Sequence, residues 1–496
     1  MIERPTVNKM ADLLRSPRLD HRAVPATRSP QPPARRACVG RVDRGGKHHI
    51  NRSRTRTAIL VRTSVAIGVS LMIGAPVGAS PASAPSASPI AALPATTLAA
   101  PLRNATTEQR ITQLEASVRA APKNGSIWLM LGSAYVRRAY ETADPAYYPL
   151  AENALGRAGT VLSDPPEVLS AKATLALARH RFADARVLVS RVLRDRPASL
   201  EARLSLFDAN IELGDYTAAA AEIEDLVDQR PGVATLSRLS YLRQLNGDLL
   251  GAELAMRQAV SAAPETSFDR AVALGYLGDV LMEKGSVDAA ARAYDTAVGI
   301  QPFATTALLG QARVAMARND AKKAAVILDR LTTRIPLPAA LGLRADIARA
   351  SGDAAAATAA DQLVDASVKL FQANGAVVDA ELALLLADRG PTGASVAVVA
   401  ARRAYAERRT IFTADAMAWS LYTAGRAKEA EPFAREAIRS APAVSSTRWH
   451  AAVILSAVGD EGKARTELRA AIRNPWFSLS QRGALLELAS KLGVPQ

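Results

Sequence analysis

The side chains best suited to metal binding or nucleophilic chemistry are few and scattered. Among 496 residues there are five histidines (His21, His48, His49, His180, His450) and one cysteine, Cys38. A lone thiol permits neither an internal disulfide framework nor a cysteine-based zinc or iron–sulfur site. His180 and His450 have no second histidine or cysteine near them in the chain and read as structural or surface groups. His48-His49, beside Lys47, offers weak metal affinity at most. Catalytic motifs need fixed spacing: GxSxG exposes a nucleophile on a tight turn, HExxH puts two imidazoles one helical turn apart, and GxxxxGK[ST] cradles phosphate. None is present. Gly462-Lys463-Ala464 lacks both the first glycine and the hydroxyl residue. Glu222, Glu224 and Asp225 fall on an outward helix face and read as solvated charge, not as an acid–base pair. The expectation is a binding protein with no catalytic residues, no metal and no cofactor.

Composition already limits the architecture. Lys and Arg number 62 against 47 Asp and Glu, a formal charge of +15. The excess is local: residues 1–62 hold 15 basic and 4 acidic residues, whereas the other 434 hold 47 and 43. The body is near neutral, so a pI near 10.2 gives no argument for a nucleic-acid partner. Hydrophobic residues make up 49% of the chain but aromatics only 4%, because the apolar share is mostly alanine. That composition favours helix over sheet.

Residues 1–62 form a basic N-terminal region that reads as disordered, with Pro and Arg clusters such as Ser29–Arg36. Thr63–Leu102 carries no charge. Within it Val65–Ala75 is apolar, Arg52, Arg54, Arg56 and Arg62 precede it, and Val77-Gly78-Ala79 places small residues at a cleavage position. A basic flank, a short apolar core and a small-residue exit match a secretory signal peptide. The core is shorter than the ~20 residues of a spanning helix. A cleaved signal, an uncleaved membrane anchor over 63–79 and a plain apolar patch stay open as readings. The first makes the protein exported, periplasmic or extracellular. Arg35-Arg36 is too far upstream for a twin-arginine signal, and Cys38 precedes the core, so it is not a lipoprotein cysteine. The mature protein is then expected to lack residues before about Ser80, and the long basic flank suggests a translation start near Ile59–Arg62. Residues 80–102 follow as a Ser/Ala/Pro-rich linker, where Pro81, Pro85, Pro89, Pro94 and Pro101 forbid helix.

From Thr107 the chain is written in one period. Gly214, Tyr216, Ala219 and Pro231 set a spacing that returns as Gly247, Leu249, Ala252 and Pro264, then as Gly285, Val287, Ala290 and Pro302. Gly425, Ala427, Ala430 and Pro442 repeat it, and Asn319, Ala321, Ala324 and Pro336 change only the first residue. Asn tolerates the same left-handed backbone as Gly. A recurrence of ~34 residues predicts pairs of short helices joined by tight turns. Ala151, Ala185, Ala219, Ala252, Ala290, Ala324, Ala430 and Ala464 mark where two helices cross most closely, with room for a methyl only. Each proline stops a second helix. One such hairpin cannot bury its apolar face alone, so stability must come from stacking. Thr107–Ala120 and Leu479–Leu492 read as the helices that close the two ends.

The pattern resembles the tetratricopeptide repeat, W–x2–LG–x2–Y followed by G, A, F/Y, A and P. Trp128, Leu131, Gly132, Tyr135, Ala151, Leu155 and Ala158 carry it in the first unit, which has an insertion around Ala139–Tyr148. Leu277, Gly278, Gly285, Ala290, Tyr294, Ala297 and Pro302 carry it in the centre, and Ala452, Gly459, Ala464, Leu468 and Ala471 at the end. The resemblance spans about 107–492. It implies an all-α solenoid of about ten helix–turn–helix repeats in a right-handed superhelix, regular over 103–352 and 411–496. It also implies a concave face made by the first helix of each unit. The family's inward positions map to Asp208, Ile211, Arg238, Tyr241, Gln244, Tyr276, Asp279, Arg313, Asp346, Arg349, Trp419, Tyr422 and Trp449. Aromatics among Arg and Asp suit a peptide or protein partner; solvated groove residues or inter-repeat packing is the other reading. The family's chaperone-tail clamp requires Lys at position 5, which here is Leu129, Ser170, Leu204, Ser237, Gly275 and Leu309.

The implied function is a non-catalytic interaction scaffold of the cell envelope or exterior, with an accessory or sensor subunit anchored through 63–79 as the alternative. Residues 353–410 are expected to be degenerate repeats or a hinge. They lack a terminating proline, carry the run Ala354–Ala357 and place Gly390-Pro391-Thr392-Gly393 between helices. Little apolar area per residue is buried by alanine, so this seam should open before its neighbours.

Overall fold

A computed structural model of the protein describes residues 105–440, 442–473 and 478–495. The basic region, the apolar segment 63–79 and the linker lie outside the described residues. Those described form 22 α-helices and no strand. Helix α1 is Thr107–Ala120. Ten hairpins follow. The first three are α2 and α3 (Gly125–Thr142, Tyr147–Leu162), α4 and α5 (Pro166–Ala178, Phe182–Asp195), and α6 and α7 (Leu200–Leu213, Tyr216–Gln229). The next four are α8 and α9 (Val233–Leu245, Leu249–Ala262), α10 and α11 (Phe268–Glu283, Val287–Ile300), α12 and α13 (Thr305–Ala317, Ala321–Arg334), and α14 and α15 (Pro338–Ala350, Ala354–Ala373). The last three are α16 and α17 (Asp379–Ala387, Pro391–Glu407), α18 and α19 (Ile411–Thr423, Ala427–Ala437), and α20 and α21 (Ser445–Ala457, Glu461–Ile472); α22 is Arg482–Leu492.

The turn inside a hairpin has a repeated chemistry. Gly214, Gly247, Asn319, Gly352 and Gly459 take φ between 61° and 93°, reversing the chain. An aspartate follows each one and caps the second helix. Asp248 Oδ1 accepts from the Gly251 N–H at 2.8 Å, and Asp320 and Asp353 do the same for Lys323 and Ala356 at 2.9 Å. A carboxylate at that position meets otherwise unpaired amides and the positive end of the helix. The eight alanines of the second helices are all 0% exposed, as crossing helices require. Tyr294 stands where other units carry Leu155, Val189, Ile223 or Met256, and its fully buried ring sits between Gly278 and Gly310, whose missing side chains leave it room.

The stack coils back on itself, and residues far apart in sequence join its turns. Arg408 Nη1 donates to Glu212 Oε2 at 2.7 Å across 196 residues, and the Ile411 N–H donates to Tyr216 Oη at 3.1 Å. Ser440 Oγ donates to the Leu245 carbonyl at 2.9 Å, and Ser445 Oγ to Glu283 Oε2 at 2.7 Å. Asp346, at the end of α14, accepts from Ser478 Oγ and from the amides of Leu479 and Ser480 at 2.9–3.2 Å. That capture explains why the terminal helix begins at Arg482 and not at Leu479: residues 478–481 are turned to face Asp346.

Within 353–410 the structure keeps the hairpin design, with α15 lengthened to 20 residues and α16 cut to nine. Arg389 ties the α16–α17 turn to α15, donating to Asp365 Oδ1 at 2.7 Å and to the Asp361 carbonyl at 3.1 Å. The Val377 N–H also donates to the Arg179 carbonyl at 2.9 Å, on the α4–α5 turn. No helix among the described residues is long and apolar enough to cross a membrane.

Candidate functional site

The sequence-derived concave residues lie along the first helices, and the coiling of the stack decides their surroundings. Asp208 and Arg238 form a buried bidentate pair, with Arg238 Nε on Oδ1 at 2.8 Å and Nη2 on Oδ2 at 2.5 Å. Tyr241 is buried and its hydroxyl has no hydrogen-bond partner among the described residues; burial pushes its pKa well above the ordinary tyrosine value. Gln244 is buried, and its backbone carbonyl accepts from the Ala443 N–H at 2.9 Å. Trp419, fully buried, donates Nε1 to Asp388 Oδ1 at 3.0 Å, stacks on His450 with centroids 4.1 Å apart, and meets the half-buried Tyr422 at 5.4 Å. Trp449 is 1% exposed. Ile211 and Asp346 are likewise buried, and Arg349 pairs with Asp361 at 3.0 Å. These residues pack hairpin against hairpin; they do not line an open groove.

Tyr276, Asp279 and Arg313 have a different setting. They line a partly open cavity of about 210 Å³, bordered by α2, α4, α10, α12 and the α15–α16 connection. Asp279 accepts from Tyr294 Oη at 2.7 Å and lies 3.7 Å from Arg313 Nη1. Burial raises the Asp279 carboxyl to about 6, with Arg313 opposing. Tyr140, from the insertion in the first unit, hydrogen-bonds Tyr276, and burial raises its hydroxyl to about 12. Tyr140 also meets Phe268 edge-on at 5.5 Å.

A second polar cluster escaped sequence reasoning. Glu212, Arg408, Glu381 and His180 converge between the turns, with His180 Nδ1 3.8 Å from Glu381 Oε1 and Arg408 Nη2 4.0 Å from the same oxygen. Burial lifts Glu212 to about 7 despite Arg408 beside it, and burial lowers His180. His180 is also the turn residue of its hairpin, at φ 59°, and stacks on Phe182. His450 binds Asp415 through Nδ1 at 2.9 Å and is 3% exposed. No group of three or more metal-ligating side chains occurs among the described residues.

Family models for the tetratricopeptide repeat match residues 176–240, 239–305 and 276–337. The same hairpin, with its buried alanine and left-handed turn, continues on both sides of that stretch. The chain contains tetratricopeptide repeats over residues 176–337. Among solved structures, the Cut9–Hcn1 hetero-tetramer of the APC/C is similar at 15% identity, covering 78% of this chain and 67% of that one, with a TM-score of 0.45. A tetratricopeptide repeat protein from Parabacteroides merdae ATCC 43184 is similar at 12% identity, over 66% of this chain and 98% of that one, with a TM-score of 0.29. Naa15/Naa10 bound to HypK-THB aligns at 17% identity over 78% and 64%, with a TM-score of 0.24. No curated protein matches the sequence. In this tetratricopeptide-repeat array, the interior wall at Tyr276, Asp279 and Arg313 is where mapped concave residues border open space.

Proposed function

We propose that the protein is a non-catalytic scaffold that holds a protein or peptide partner on the concave side of its superhelix. The observation that carries this reading is the array itself: ten stacked hairpins whose turns are bonded to one another present a long surface of fixed shape. Tetratricopeptide repeats bind protein or peptide partners, and Tyr276, Asp279 and Arg313 combine a ring with both charges on the wall a partner would meet. A photo-crosslinking residue at Thr306, on that wall, should capture the partner from native cells. The same residue at Leu254, 58% exposed on α9, should not. Capture from Leu254 alone would move the partner to the outer face.

The uncharged stretch Thr63–Leu102 behind a basic flank supports placing the scaffold in the cell envelope or outside the cell. Intact mass of the native protein tests the processing: a mass near the full-length 52.3 kDa rejects cleavage. Retention with washed membranes would favour the anchored accessory subunit.

A further inference from the structure

The interior cavity concentrates a residue type in which this chain is poor. Its 29 lining residues include six of the 22 aromatic rings in the whole sequence. Tyr140, Phe268, Tyr276, Phe303 and Phe371 provide broad faces, while alanines such as Ala139, Ala178, Ala307 and Ala339 leave the space between them. Rings against methyls, not leucine against leucine, make a slot suited to a planar molecule.

Two of the three carboxyl groups on the wall are hydrogen-bonded from within the protein. Glu141 receives Arg137 Nε at 2.9 Å and Asp279 receives Tyr294 Oη at 2.7 Å, whereas Glu381, 3.8 Å from His180 and 4.0 Å from Arg408, has no hydrogen-bond partner among the described residues. The Tyr140 and Tyr276 hydroxyls bond to each other. An anion entering here would lose its hydration beside three carboxyl groups, which is costly, whereas a neutral hydroxyl could donate to Glu381. A cavity of about 150 Å³ lined by apolar side chains admits a benzene ring. At about 210 Å³ this one has room for a ring system larger than one benzene.

We infer that the cavity is a binding site for a small, uncharged aromatic molecule. The ligand would touch α2 of the first hairpin, α10 and α12 of the middle, and the α15–α16 connection, so its binding would hold the two turns of the superhelix together. This site goes beyond the scaffold reading and is tested without any partner.

The probe is 2-naphthol, neutral at pH 7, titrated into the full chain and followed by its fluorescence. One saturable site is expected, with 2-naphthoate, its carboxylate counterpart, binding at least tenfold more weakly. Ala339→Phe and Ala178→Phe place a ring in the slot from opposite walls, and each folded variant should lose at least tenfold in affinity. Hydrogen exchange needs no variant: saturating 2-naphthol should slow the amides of 305–309 and 376–378. Absence of saturable binding, equal affinity in a folded cavity-filled variant, or exchange slowed only elsewhere would overturn the assignment. Naphthoate binding as tightly as naphthol would overturn the requirement for an uncharged ligand.

Discussion

A single methyl group separates the role of a turn from the role of a contact between turns. Gly214 and Gly425 occupy the same position in their hairpins, at φ 85° and 78°. Replacing either with alanine forces an L-residue into left-handed backbone, at roughly 1–2 kcal/mol. The loss of chain freedom in the unfolded state returns about 0.4–1 kcal/mol to both variants. Their surroundings differ. A Cβ on Gly425 meets nothing within 4 Å, whereas a Cβ on Gly214 overlaps the Arg409 carbonyl oxygen and lies 3.0 Å from its carbon. That carbonyl is backbone and cannot swing aside, so relief means moving 408–411 away from α6, at about 1–3 kcal/mol for an overpacked site. Movement there strains the Arg408–Glu212 pair and the bond from the Ile411 amide to Tyr216 Oη. Gly214→Ala should therefore destabilise more than Gly425→Ala by about 1–3 kcal/mol. A long repeat array need not unfold in one step, so residue-level hydrogen exchange is the assay. The Ile411 amide should exchange faster in Gly214→Ala and be unchanged in Gly425→Ala. Equal destabilisation within ~0.5 kcal/mol, with Ile411 still protected, would refute the coiled contact.

Three further outcomes follow from named contacts. Asp346→Ala removes a buried acceptor from three donors and should weaken the attachment of α22 by roughly 3 kcal/mol, read as faster exchange at Leu479 and Ser480 and as proteolytic release of the C-terminal helix. Burial holds Glu212 at about 7 and Asp279 at about 6, above their unfolded values, so each keeps a proton that the unfolded chain has released. Stability from these groups is complete below about pH 4 and falls as pH rises to about 7; a urea-unfolding series that rises over that interval, or that Glu212→Gln leaves unflattened, contradicts the assignment. Arg389→Ala should open the seam, with exchange in α16 accelerating while α10 is unaffected; α16 should exchange before α10 in the native protein too.

What the sequence disclosed is what neighbouring hairpins do to each other. The alanine spacing marked the closest helix crossings because a stack of identical hairpins puts the same demand on each unit, and the eight alanines are all fully buried. Gly214 and its equivalents were legible because only a left-handed residue reverses the chain there. The aspartate that follows five of these turns caps the second helix, a signal that the recurring Gly–Ala–Pro spacing does not contain. Contacts between superhelical turns left no such trace. Glu212 and Arg408 are charged residues at helix ends, the type and place expected of solvated side chains, and Asp346 falls on a mapped inward position that does not reveal its partner; these partners lie 132–196 residues away. Position in the repeat therefore tells which way a side chain points but not whether water reaches it, since that depends on how tightly the array coils. Asp208, Arg238 and Tyr241 became packing for this reason, while Tyr276, Asp279 and Arg313 met the aromatic insertion of the first unit across a space. The insertion around Ala139–Tyr148, a break in the repeat pattern, supplies two of the six rings of that wall, Tyr140 and Tyr148.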